Sequence, residues 1–134
     1  MGLLKTTIKL VTTDVFPYPV NITIPVIEAV DLDASFSTVI LNASGTSTIY
    51  GPIPQQAGTT GITYFYIQSD PDNVSAVNVD VTDSNSTTIT ALSIPPGDFA
   101  WFPLNSDAAG VQVELINTDV ANPATVTYFY GEKG

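Results

Sequence analysis

The sequence predicts an all-β fold: an antiparallel sandwich of about eight to ten short strands, jelly-roll or immunoglobulin-like, in one domain spanning residues 1–134. Three observations carry this. Runs of four to eight β-branched and aromatic residues recur along the chain, clusters of Pro, Gly, Asn, Asp and Ser separate them, and helical periodicity is almost absent. The best match to a helical pattern, 27–34, is short and β-branched.

Taken in order, the strands are expected at 5–13, 20–25, 36–41, 46–50, 62–68, 76–81, 87–92, 99–104, 111–117 and 125–131. Proline supports the divisions, because it cannot donate to a ladder and belongs in loops or at strand ends. Pro17 and Pro19 bracket Tyr18, Pro52 and Pro54 bracket Ile53, and Pro95-Pro96-Gly97 makes a tight turn before an aromatic strand. The stretch 51–61 is the longest loop, and the first nineteen residues form an N-terminal arm or strand. One pattern repeats: Ile67-Gln68-Ser69-Asp70-Pro71-Asp72-Asn73 and, 49 residues on, Ile116-Asn117-Thr118-Asp119-Val120-Ala121-Asn122. Both read as strand, polar turn, strand, with Asn and Asp closing the turn through side-chain to backbone bonds. Residues 38–50 read as a third, shorter hairpin.

Composition excludes several functions. Ten Asp and three Glu stand against three Lys, with no Arg and no His, for a net charge of −10. Phosphate backbones and anionic lipids require Lys and Arg, so no nucleic-acid or membrane partner is expected, and a cationic surface would be favoured. The absence of Cys removes disulfides, thiolate nucleophiles and Cys-based zinc sites. Without His or Cys the common general base and the best nucleophile are missing, so the chain is not expected to be an enzyme. A carboxylate-based hydrolase would draw on Asp31/Asp33, Asp70/Asp72, Asp80/Asp83, Asp98, Asp107 or Asp119, but these sit in turn contexts, where Asp has a structural use. Asp31 and Asp33, or Asp70 and Asp72, supply too few oxygens to hold calcium alone, and no cofactor or metal is expected. Met1-Gly2-Leu3-Leu4-Lys5 lacks the apolar core of a secretory signal.

The surface signal is aromatic. In residues 62–67, Ile62, Tyr64 and Tyr66 share one face while Phe65 and Ile67 take the other. Val126, Tyr128 and Tyr130 likewise oppose Phe129, and 99–104, containing Phe99 and Trp101, is apolar on both faces. An outer strand of a lone sandwich should alternate apolar and polar, as Val77, Val79 and Val81 do against Asn78 and Asp80. Strands apolar on both sides call for a second covering layer. That layer is either a loop of the same chain or a neighbouring subunit, and the second makes Tyr64, Tyr66, Phe99, Trp101, Tyr128 and Tyr130 candidate interface residues, joined by Phe16 and Tyr18, which Pro17 and Pro19 hold in an extended loop that either caps the core or docks on a partner.

These features resemble small virion proteins of tailed bacteriophages: short, Thr-rich, Cys-free and all-β. The likeness is carried by Ile116-Asn117-Thr118-Asp119 with Asn122, by the segment from Ile94-Pro95-Pro96-Gly97 through Phe99-Ala100-Trp101-Phe102-Pro103-Leu104, and by Tyr128-Phe129-Tyr130-Gly131-Glu132, all in the C-terminal half. The resemblance implies a non-catalytic capsid decoration (cement) subunit that stabilises a shell. It would be made in the host cytoplasm, reside in the virion, bind the major capsid protein or other virion proteins, and form a homo-oligomer, with a trimer favoured. The alternative is a neck or tail appendage, or an adhesin domain that binds a host-surface glycan or protein, with Trp101 and a tyrosine stacking on a sugar ring.

Overall fold

The computed structural model describes residues 2–12, 20–31, 37–52, 62–105 and 109–133, with 2–12, 20–31, 132 and 133 described by their backbone. Among the described residues there are ten strands: β1 (Gly2–Thr12), β2 (Val20–Asp31), β3 (Ser37–Leu41), β4 (Thr46–Tyr50), β5 (Ile62–Ser69), β6 (Val77–Thr82), β7 (Thr88–Ile94), β8 (Phe99–Asn105), β9 (Gln112–Asn117) and β10 (Ala124–Lys133). All described pairings are antiparallel. The larger sheet runs β1-β2-β10-β5-β8, with β3 also on β10, and the smaller runs β4-β9-β6-β7. The fold is an all-β sandwich, as the strand spacing predicts.

One element differs in extent. The second strand continues through Pro25 to Asp31 and takes in Ile27, where the sequence offered its best helical pattern. Pro25 is tolerated because it pairs with Thr7 on one side and lies outside the stretch, Val30 and Asp31, that pairs with β10 on the other.

The three strand–turn–strand units are not hairpins. β3 and β10 belong to one sheet while β4 and β9 belong to the other, and β5 and β6 are divided in the same way. The turns 42–45, 70–76 and 118–123 therefore carry the chain from one sheet to the other, as does 95–98 between β7 and β8. Sheet order β3-β10-β5-β8 matches β4-β9-β6-β7 strand for strand, so four arches stack along one end of the sandwich. Backbone bonds join neighbouring arches: Ser44 N to Asp119 O (2.7 Å), Asp70 N to Thr125 O (3.1 Å), and Ser69 N to Asp98 O (2.9 Å). Gly97, at φ +82°, supplies the left-handed residue that lets its N–H return to Ser69 O. The hairpin between β6 and β7, residues 83–87, lies at the other end.

The inner faces follow the alternation. Phe65, Ile67 and Val126 meet Val77, Val79, Val113 and Leu115, all fully buried, and Phe102 and Tyr130 pack against this cluster. Polar groups within it are satisfied: the Tyr50 and Thr63 hydroxyls are hydrogen-bonded at 3.1 Å, and no buried side-chain N or O among the described residues lacks a partner.

Candidate functional site

Alternation along β5, β8 and β10 decides what the outer face of the larger sheet presents. Because Phe65, Ile67, Ala100, Phe102, Val126 and Tyr128 pack inward, the residues between them point out. Register then aligns them in rows: Phe129 opposite Tyr66 opposite Trp101, flanked by Gly131–Tyr64–Pro103 on one side and Thr127–Gln68–Phe99 on the other. Diagonal neighbours stack. The Tyr64 and Trp101 rings lie 5.7 Å apart at 16°, and Tyr66 and Phe99 lie 5.8 Å apart at 28°. The Tyr66 hydroxyl donates to Gln68 Oε1 at 3.3 Å, which fixes that ring's edge. Phe99 is 65% exposed, Trp101, Tyr64 and Tyr66 are half-buried, and Phe129, beside Tyr66 on the same face, is 6% exposed. None of these nine positions carries a charge.

The outer face of the smaller sheet is the opposite. Its central row is Thr48, Glu114, Asp80 and Thr90, and its neighbours include Gln112, Thr82, Asn78 and Ser93. Asp80 and Glu114 are directly opposed like charges, an arrangement that water screening tolerates and a dry interface would not. Asp80 lies in strand β6 and accepts a bond from the Thr90 hydroxyl at 2.7 Å, whereas the sequence pattern places it in a turn.

Of the candidate interface residues, Tyr64, Tyr66, Phe99 and Trp101 come together on this one face. Tyr128 and Tyr130 do not join them. They share the parity of Val126, pack inward against the core, and Tyr130 meets Tyr50 at 5.1 Å and Phe65 at 5.8 Å. Phe129 has the outward parity instead, but it is buried. Period-two alternation separates the two sets but does not say which faces in. Phe16 and Tyr18 lie outside the described residues.

Several carboxylates have structural partners. Asp70 Oδ1 accepts Asp72 N, and Asp83 Oδ1 accepts Asn85 N and Thr87 N, as expected of turn-closing Asp. Asp119 accepts from Ala121 N, Asn122 N, the Ser75 hydroxyl and Asn122 Nδ2, and these donors, the backbone N–H groups first, hold its carboxyl below the ordinary carboxylate value. Asp33 and Asp107, and most of the 51–61 loop, lie outside the described residues.

Two residues with larger roles than turn closing emerge at the arches. Asn73 Nδ2 donates to Ser69 Oγ and Thr125 O, both at 2.9 Å, while its Oδ1 accepts Thr125 N at 2.8 Å. Asn117 donates to Asn42 O (3.0 Å) and Asn122 O (2.8 Å) and accepts Asp119 N (3.0 Å). In the repeated pattern Asn73 aligns with Asn122 and Asn117 with Gln68, so the repeat marks both turns without singling out these two residues.

No family model matches the chain, and no curated protein matches it. Similar solved structures include one from Bacillus endospore appendages, described as a family of disulfide-linked pili. Its TM-score is 0.46 and its identity 12%, covering 79% of this chain and 89% of that chain. Two others are mutants of family 29 carbohydrate-binding modules. One has a TM-score of 0.36 and 14% identity, covering 77% of this chain and 88% of its own. The other has a TM-score of 0.35 and 14% identity, covering 75% and 93%. These are loose likenesses at the level of β-rich architecture, and the strand pairing itself defines the fold.

Proposed function

We propose that the chain is a non-catalytic structural subunit that docks on a protein assembly through the aromatic outer face of its larger sheet and leaves the polar face of its smaller sheet in water. A capsid decoration subunit of a tailed-phage virion is the specific form of this reading. The observation that carries it is the contrast between the two outer faces: stacked, uncharged aromatics on one, Thr, Asn and opposed carboxylates on the other. Burying large rings at the centre of a contact is the main source of binding energy in protein interfaces, and charged groups are depleted there. A protein partner is favoured over a glycan because the face holds few groups that could hydrogen-bond sugar hydroxyls: two tyrosine hydroxyls, the Trp101 indole N–H, Gln68 and Thr127.

The test is co-sedimentation of the purified chain with expanded shells that lack it. Saturable binding is expected, reduced at least tenfold by Phe99→Ser with Trp101→Ser. Failure to bind shells, neck or tail particles would overturn the reading, as would specific retention on a glycan array with quenching of Trp101 fluorescence.

A further inference from the structure

β7 is the last strand of the smaller sheet, and among the described residues β6 alone pairs with it. Thr88, Ile89, Thr90 and Ala91 are exposed in succession, as a strand with an open second edge should be. An unpaired edge offers a row of N–H and C=O groups to another strand, and proteins blunt such edges with charge, proline or short length. Among the described strands the other edges are blunted. β1 contains Lys5 and Lys9, β8 contains Pro103, and β3 and β4 have five residues each. β7 has seven residues and neither a charge nor a proline. Ile89 adds an apolar demand: register with Val81 gives it inward parity, yet it is 60% exposed.

The one irregularity of β7 selects the partner. Leu92 lies opposite Val79 and Thr90 opposite Asp80, so Ala91 is an extra residue and the alternation reverses across it. Ile89 and Leu92 therefore both have inward parity, while Thr88 and Ser93 both point outward. A regular strand laid along this edge matches one half of β7 and mismatches the other, unless it too skips a residue. A second β7 carries the same reversal, and a two-fold axis at the bulge cancels the two.

We propose that β7 of one copy pairs antiparallel with β7 of a second copy, about a two-fold axis between Thr90 and Ala91. Ile89 then lies opposite Leu92 and Thr88 opposite Ser93, inward against inward and outward against outward. Each exposed Ile89 gains an apolar neighbour. Despite the net charge of −10, no like charges are opposed at the seam, because β7 itself is uncharged. The Asp80 residues of the two copies lie three strand spacings, roughly 14 Å, apart, beyond the ~8 Å screening length at physiological salt. The axis stands perpendicular to the joined sheet, so the aromatic outer faces of both copies point the same way. A single strand pair is small beside the ~800 Å² per partner of a stable interface, so association should depend on concentration. Two faces aimed at one surface bind it with avidity, which gives a weak dimer a use.

The chain has no Cys, so the contact can be trapped by introducing one. Thr88 and Ser93 are both exposed, and full-length Thr88→Cys and Ser93→Cys variants are prepared with different tags and mixed under mild oxidation. Wild type is weighed by sedimentation equilibrium over a range of concentrations, alongside Ala91→Lys, which brings an ammonium group from each copy to the axis. The expected result is a wild type that dimerises and a disulfide joining the two variants at least fivefold more abundant than either self-linked product. Ala91→Lys should weaken association at least tenfold with an unchanged circular dichroism spectrum. A wild type that stays monomeric up to about 1 mM overturns the inference, as does a trimer, or self-linked products as abundant as the mixed one. Dimerisation abolished by Phe99→Ser but not by Ala91→Lys also overturns it, since the copies then meet through the aromatic face.

Discussion

Asn117→Ala removes the side chain that ties three segments together at the arched end of the sandwich. Asn117 is 2% exposed, and its amide binds the carbonyls of Asn42 and Asn122 and the N–H of Asp119. Each neutral bond contributes about 1 kcal/mol net, and a buried partner left without a bond adds about 1–3 kcal/mol. The Asn122 and Asp119 groups border an exposed turn and can recruit water, and the Asn42 carbonyl keeps the Gly45 N–H at 2.7 Å. Three bonds come to about 3 kcal/mol, which for a domain of this size lowers Tm by about 10 °C. Asn117→Asp sharpens the argument. It keeps the acceptor for Asp119 N but sets a carboxylate against two carbonyl oxygens. Its folded-state pKa is then raised, so at neutral pH it should be at least as damaging as alanine and should recover as falling pH protonates it. Thermal melts followed by circular dichroism, at pH 7 and near pH 4, measure both. A shift for Asn117→Ala below about 4 °C, or an Asn117→Asp variant more stable than the alanine variant at neutral pH, would refute the claim that these bonds organise the arches.

The other predictions are simpler. Phe65→Ala, in a fully buried site within 5.2 Å of Tyr50 and 5.3 Å of Phe102, should cost about 3–5 kcal/mol in urea unfolding. Asp119 has a depressed folded-state pKa, so its stabilisation is present above the unfolded value and lost as pH falls through the folded one. The Tm advantage of wild type over Asp119→Asn at pH 6 should therefore shrink below about pH 4. Gly51→Ala should destabilise by more than about 1 kcal/mol, because φ is +81° and a Cβ would strike the Val111 carbonyl. Phe99→Ser, by contrast, should change stability by no more than about 0.5 kcal/mol while weakening docking, because the ring is mostly in water in the isolated chain.

Strand positions were legible because β-branched runs and proline are local signals: β4 has the expected bounds, and most others differ by a residue or two at an end. The crossing of the arches was not. A turn such as Asp70-Pro71-Asp72-Asn73 has the same Asx chemistry whether the flanking strands pair with each other or with strands far along the chain. Only long-range register separates a hairpin from an arch. The same gap explains Tyr128 and Tyr130. Alternation groups them with Val126, but deciding that this group faces inward requires Tyr50 on the opposite sheet to receive Tyr130. The aromatic outer face was half legible. Tyr64, Tyr66, Phe99 and Trp101 stood out as aromatics on strands apolar on both sides, while Phe129 was hidden between two tyrosines that proved to be core.

β10 bonds to β5 along one edge and to β3 and β2 end to end along the other, so it is the strand on which the larger sheet closes. It also follows every other strand in sequence. Leu41 must wait for Ala124 before the edge of the sheet can form. During synthesis, then, no earlier set of strands can complete that sheet, and the aromatic segments emerge from the ribosome well before the strand that shelters them. The strong negative charge, already argued to keep partners selective, thus has a second use: it holds unfinished chains apart during the interval when they are most prone to aggregate.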